Sequence, residues 1–101
     1  MLTIIDLSDD GKTMKRIRVL NSIVAVESTE TCIEIMLSTG KTYQYNLTFG
    51  LIDIDKIQAV MKGSHYGLVV WKDQYRLDSM NGWTNYGFIA RAKKEMEGGK
   101  E

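Results

Sequence analysis

The chain has 101 residues, 44% of them apolar and 26% charged, which is the composition of one globular domain with its own core. Thirteen basic and thirteen acidic side chains give a formal net charge of zero, so the composition does not support wholesale electrostatic binding of nucleic acid or anionic membranes. The single cysteine, Cys32, excludes an internal disulfide and a cage of thiolate metal ligands. We therefore expect one domain over residues 1–101, with a frayed tail at 98–101.

The first residues lack both the basic leader and the apolar core of a signal peptide. No apolar run approaches the roughly 20 residues that a membrane-spanning helix needs. We therefore expect a cytoplasmic protein without membrane contacts, of a size that suits a bacterial or phage accessory protein. Zero net charge weakens repulsion between copies, which favours self-association.

The first half of the chain predicts five strands. Residues 2–7 and 13–20 form the first two, and a two-residue turn at Asp10-Gly11 between them would place Asp6 opposite Lys15. Residues 23–28 form the third strand. A three-residue loop at 38–40, with Gly40 in the left-handed conformation, would then pair Ile35 with Tyr43 and keep the apolar side chains on one face.

The second half predicts two helices around a second hairpin. Asp53 caps a short helix that ends near Lys62, and residues 67–71 and 74–79 pair about a turn at residues 72 and 73. Thr84 or Asn85 begins a final helix. The apolar side of the first helix consists of Ile54, Ile57, Val60 and Met61, and that of the second consists of Tyr86, Phe88, Ile89, Ala92 and Met96.

This order predicts an α+β fold: a strongly bent, mostly antiparallel sheet or small barrel of about seven short strands, with a short middle helix and a C-terminal helix. The count and order of elements resemble pleckstrin-homology-like barrels. Residues 23–27 through 40–43 are similar to the strand pairs of LytR-type DNA-binding output domains. Where that family carries an arginine- and histidine-rich DNA-contacting segment, this chain has Lys62 and His65, and we assign no family.

Residues suited to catalysis are few. His65 is the only histidine, which excludes a histidine metal pair, and no nucleophile elbow, dinucleotide fingerprint or phosphate loop occurs. We interpret His65 as a surface-loop residue, with a catalytic or ligand role as the alternative. Asp9-Asp10 and Asp53 with Asp55 suit a turn and a helix start better than a cation site. We expect no catalytic residues, no metal and no cofactor.

An aromatic and basic cluster in the last third is the main candidate for a binding site. Aromatic rings beside cations suit a protein interface or stacking on single-stranded nucleic acid. The alternative is that Trp71 and Trp83 pack beneath the final helix. A second basic strip, Arg16 and Arg18 on the second strand, either protects a sheet edge or contacts phosphates. The partner-binding candidates are Trp71, Trp83, Tyr86, Arg91 and Lys94.

The sequence therefore favours a small non-enzymatic protein-interaction module that binds a protein partner or a second copy of itself. A nucleic-acid-binding domain that uses the C-terminal aromatic and basic residues is the first alternative. A small enzyme or small-ligand-binding protein without a recognisable motif is the second.

Overall fold

The computed structural model of the protein describes residues 1–29, 31–46, 53–72 and 74–98. Within these ranges the chain forms seven strands in two sheets, and two helices. The predicted frayed tail is 98–101, and its first residue, Gly98, instead ends the final helix. Residues 99–101 and the predicted turn position 73 lie outside the described residues. The elements are β1 Leu2–Leu7, β2 Met14–Leu20, β3 Ile23–Ser28, β4 Cys32–Leu37, β5 Thr42–Asn46, α1 Ile54–Met61, β6 Tyr66–Trp71, β7 Gln74–Ser79 and α2 Asn85–Gly98.

The strands divide into a four-stranded sheet, in the order β2-β1-β6-β7, and a three-stranded sheet, in the order β3-β4-β5. All neighbours are antiparallel except β1 and β6, which run parallel. The α+β class is confirmed. The predicted barrel is wrong, because β1 takes β6 as its second neighbour and the two sheets remain separate among the described residues, so no ring of hydrogen-bonded strands closes.

Two apolar clusters hold three layers together. One lies between the two sheets, where Ile4 and Leu68 of the four-stranded sheet meet Ile33 and Ile35 of β4, and Val60 of α1 joins them. The other lies on the opposite face of the four-stranded sheet, beneath α2. The second cluster consists of Ile5, Leu7, Val69, Trp71, Met80, Phe88, Ile89, Ala92 and Met96.

The predicted β4–β5 register is confirmed. Ile35 lies opposite Tyr43 and Ile33 opposite Tyr45. Gly40 has a φ of 91°, and its amide donates to the Leu37 carbonyl at 2.9 Å. The left-handed glycine and the apolar face therefore specify the same pairing.

The predicted β1–β2 register is wrong by one residue, since Asp6 lies opposite Arg16 and not Lys15. The connecting loop is longer than the predicted turn, because the Ser8 amide bonds the Thr13 carbonyl at 2.9 Å. A bulge between Asp6 and Leu7 leaves Lys15 without an opposite residue. The shift exchanges the two faces of β2 relative to the prediction.

The two helices fall roughly where the sequence predicted. The Asp53 carboxylate accepts the Asp55 amide at 2.8 Å and so caps α1, and the Thr84 hydroxyl accepts the Gly87 amide at 3.1 Å at the start of α2. The apolar sides predicted for the two helices include residues that the structure leaves exposed. Ile54 and Met61 of α1 and Tyr86 of α2 are exposed. Within the described part of the chain, neither helix has the length and apolar character to cross a membrane.

Candidate interaction surface

β2 is the outer strand of the four-stranded sheet, and its only strand neighbour among the described residues is β1. An outer strand presents one row of backbone N–H and C=O groups that no strand of its own sheet can bond. Such a row is a template for pairing with a strand of another chain. The free edge of β2 is therefore the first component of a candidate site.

The face of β2 on the α2 side carries an exposed apolar row. Ile17 lies opposite Ile5, which is buried beneath α2, and Val19 lies opposite the buried Thr3. The helix packs mainly over β6 and β7. As a result Ile17 is 42% exposed and Val19 is 53% exposed.

Two cavities lie at opposite sides of the β1–β2 loop, with volumes of about 220 Å³ and about 300 Å³. The larger cavity is the more apolar of the two and continues the exposed row. Met14 and Tyr86 line this larger cavity, above Leu7 and Ile89. Tyr86 is 77% exposed, so its ring forms a wall and not a part of the core. We call the free edge of β2, together with Met14, Ile17, Val19 and Tyr86, the β2 surface.

The basic strip predicted on β2 is divided by the structure. Arg16 and Arg18 share a face, as predicted, but that face looks toward the three-stranded sheet. The Arg18 guanidinium donates to the Tyr45 hydroxyl at 2.6 Å and lies 4.7 Å from the centre of the Tyr43 ring. Arg18 is therefore engaged within the protein, whereas Arg16 is exposed.

The smaller cavity, at the other side of the loop, is lined by charges of both signs. Asp6 and Asp9 face Lys15, Arg16 and Lys72 across about 220 Å³. Burial raises the pKa of the Asp6 carboxyl above its ordinary value, although the positive charge of Arg16 opposes this effect. The three cations outnumber the two carboxylates, so this side of β2 has an excess of positive charge.

The single histidine and the single cysteine both have structural partners. The Nε2 atom of His65 lies 3.0 Å from the hydroxyl of the buried Thr3, which joins the loop before β6 to β1. The half-buried Cys32 lies 3.4 Å from the Thr29 hydroxyl. Among the described residues, no group of three histidine, cysteine, aspartate or glutamate side chains is placed to hold a metal ion.

The predicted aromatic and basic cluster does not stay together, because Trp71 belongs to the core. Its side chain is 9% exposed, and its indole nitrogen donates to the Asp9 carbonyl at 3.1 Å. Lys93 lies over the same ring and donates to the Gly11 carbonyl at 2.7 Å. Trp71, one of the partner-binding candidates, thus follows the alternative in which it packs beneath the final helix, and its ring supports the β1–β2 loop.

The rest of that cluster is exposed but divided between two sides of α2. Trp83 is 44% exposed, and the Arg91 guanidinium lies 5.2 Å from the centre of its ring. Arg91 also pairs with Glu95 at 3.0 Å, and Glu95 in turn contacts Arg76 of β7. Tyr86 lies on the β2 side instead. Lys94 is exposed on α2.

Sequence reasoning missed Met14, Ile17 and Val19. The predicted two-residue turn pairs Ile17 with Ile4 and Val19 with Leu2. Leu2 and Ile4 lie in the cluster between the sheets, so that pairing would have directed Ile17 and Val19 into the core. The correct pairing depends on the bulge at Lys15, which has no residue opposite it in β1. Neither the bulge nor the loop length can be inferred from the residues of the hairpin alone. Comparisons of the chain with protein-family models, curated proteins and solved structures found no match.

Proposed function

We propose that the protein is a small interaction module that performs no reaction of its own and binds a protein partner through the β2 surface. The observation that carries the proposal is the exposure of Ile17 and Val19 on an outer strand with one open edge among the described residues. Single exposed apolar side chains are ordinary, but a row of them beside a cavity and a free edge is typical of a binding site.

The components of the β2 surface suit different parts of a partner. The free backbone groups of β2 suit a main chain, and the apolar row suits side chains that would otherwise be solvated. The cavity between Met14 and Tyr86 is open to a single apolar anchor of the partner. Anchors that fill such cavities supply most of the binding energy in protein interfaces.

The test is affinity capture from the native host with matched variants, read by quantitative mass spectrometry. Ile17→Thr and Val19→Thr remove apolar surface while keeping a β-branched side chain that suits a strand. The control is Val24→Thr on β3, because Val24 is 51% exposed and Val19 is 53% exposed.

We expect specific partners to be lost with the β2 variants and retained with Val24→Thr. Purified partners should bind Val19→Thr about tenfold more weakly, which is a loss of about 1.4 kcal/mol of binding free energy. Equal retention of every partner by the three variants would contradict the proposal.

A second candidate function, nucleic-acid binding, is favoured by the contact between Arg91 and Trp83. A cation beside an exposed ring suits stacking on an unpaired base. Its test is fluorescence anisotropy with single-stranded oligonucleotides across a salt series, using Arg91→Ala and Lys94→Ala. Each variant should weaken binding and reduce its salt dependence by about one unit of slope per lost phosphate contact. Absence of binding at low salt would end this candidate.

A further inference from the structure

We propose that the β2 surface binds an extended partner segment in which acidic and apolar side chains alternate, and that this segment adds to the sheet as a strand beside β2. The inference rests on the proposed function and names the chemistry of the partner.

The pattern of β2 defines this partner because its two faces differ in chemistry. From Arg16 to Leu20 the strand pairs regularly with β1, so its side chains alternate strictly between faces. Ile17 and Val19 lie on the α2 side, and Arg16 and Arg18 lie on the other. Residues of an added strand lie directly opposite those of β2 on the same face. Apolar side chains would therefore meet Ile17 and Val19, and an intervening side chain would meet the exposed Arg16. The Arg18 guanidinium is held by Tyr45 and contributes its charge but no direct contact.

The charges of the edge select acidic side chains for the second set. The charged residues of β2 are Lys15, Arg16 and Arg18, and all three are basic. Asp6, one strand further in, is the acidic group opposite Arg16. Three basic groups against one acidic group leave the edge positive, although the whole chain has no net charge. A partner with carboxylates at alternate positions complements this edge, whereas a basic partner is repelled.

The same charges oppose a second copy of this chain as the added strand. Antiparallel self-pairing centred on Ile17 sets Arg16 of each copy opposite Arg18 of the other. Centring on Arg18 sets the two copies of Arg18 against each other. These two registers overlap most of β2 and keep the apolar row continuous, yet each places like charges directly opposite, which is destabilising.

The experiment is an amide NMR titration of the full chain with a short blocked peptide of alternating glutamate and valine. Two further peptides serve as probes: one with lysine in place of glutamate, and one methylated on alternate backbone nitrogens. We expect the glutamate peptide to shift the amides of β2. The lysine peptide and the methylated peptide should bind at least about tenfold more weakly, because the first meets like charge and the second cannot bond as a strand.

Variants of the protein complete the test. Arg16→Glu should weaken binding of the glutamate peptide about tenfold and strengthen binding of the lysine peptide. Lys94→Glu makes the same charge change on α2 and should alter the affinity for neither peptide. The inference is overturned if wild-type protein binds both peptides equally, if the shifted amides lie outside β2, or if sedimentation shows a dimer that Ile17→Thr dissociates. A further outcome separates the two proposals. If partner capture requires Ile17 and Val19 but the peptides shift no amides of β2, strand addition is wrong and the proposed function is supported.

Discussion

The Arg18 guanidinium donates a 2.6 Å hydrogen bond to the Tyr45 hydroxyl, and this contact joins the outer strand β2 of one sheet to the outer strand β5 of the other. The guanidinium also lies 4.7 Å from the centre of the Tyr43 ring. A cation held against aromatic rings keeps its charge while its stem is removed from water. The two sheets share no backbone hydrogen bonds among the described residues. Side-chain contacts such as this one therefore hold the edge of one sheet against the edge of the other.

Tyr45→Phe should lower the free energy of unfolding by about 1–2 kcal/mol, because the Arg18 guanidinium loses a partner in a part-buried position. Urea unfolding of Tyr45→Phe, Arg18→Met and the double variant measures this contact as a cycle, and the double variant should cost less than the sum. Tyr86→Phe is the control, because Tyr86 is 77% exposed, and it should change little. Strict additivity would show that the hydrogen bond contributes nothing to stability.

Two left-handed glycines separate backbone strain from steric contact. A Cβ atom at Gly40 would meet nothing within 4 Å, whereas one at Gly11 would lie 2.9 Å from the Trp71 ring. Gly40→Ala and Gly40→Val should therefore each cost about 1–2 kcal/mol of stability, the cost of the left-handed conformation alone. Gly11→Ala should cost more than Gly40→Ala, since the ring must also move. Urea midpoints measure the difference, and an equal shift for both glycines would contradict the close approach of Gly11 to Trp71.

The sequence was sufficient for the β4–β5 hairpin because every determinant of its register is local. Gly40 specifies the loop, and Ile35 and Tyr43 specify the face. The conformation of the β1–β2 loop, in contrast, depends on residues far along the chain. Its carbonyls at Asp9 and Gly11 are bonded by the Trp71 indole and the Lys93 amine, which lie 62 and 82 positions further along the chain. A turn held by tertiary contacts of this kind cannot be inferred from its own residues.

The candidate site was beyond sequence reasoning for a related reason. The exposure of Val19 requires that β2 be an outer strand and that α2 pass over other strands. The first condition depends on β1 taking β6 as its parallel neighbour, a pairing across about sixty residues that no local pattern encodes. The sequence placed Tyr86 both on the apolar side of the final helix and among the partner-binding candidates, because helical spacing alone cannot define the width of the buried face.

Two carboxylates, Asp6 in β1 and Asp10 in the β1–β2 loop, should give opposite pH responses. Burial raises the pKa of Asp6 above its ordinary 3.8, against the opposing charges of Arg16, Arg18 and Lys15. The folded protein therefore binds a proton more tightly at Asp6 than the unfolded chain does. Its contribution to stability falls as the pH rises from about 3.8 through the raised pKa, and the ionised group is a net cost at neutral pH.

Asp10 has the reverse sign. The Ser8 hydroxyl donates to its carboxylate at 2.6 Å and the Lys12 amide at 2.9 Å, and these bonds lower its pKa below 3.8. Its stabilisation is present above 3.8 and is lost as the pH falls through the lowered pKa. We expect Asp6→Asn to be more stable than wild type at pH 7 and Asp10→Asn to be less stable, with both differences shrinking in acid. Urea unfolding across pH measures both, and a loss of stability in Asp6→Asn at pH 7 would contradict the first.

The two tryptophans should respond differently to truncation. Trp71 is 9% exposed beneath α2, so Trp71→Ala should cost about 3–5 kcal/mol through the cavity that it leaves. Trp83 is 44% exposed and contacts Arg91, so Trp83→Ala should cost only about 1 kcal/mol, the scale of an exposed cation–π pair. Thermal melts separate the two outcomes, with Tyr86→Ala as the exposed control. Comparable destabilisation by both tryptophan variants would show that Trp83 belongs to the core and is unavailable to either a protein or a nucleic-acid partner.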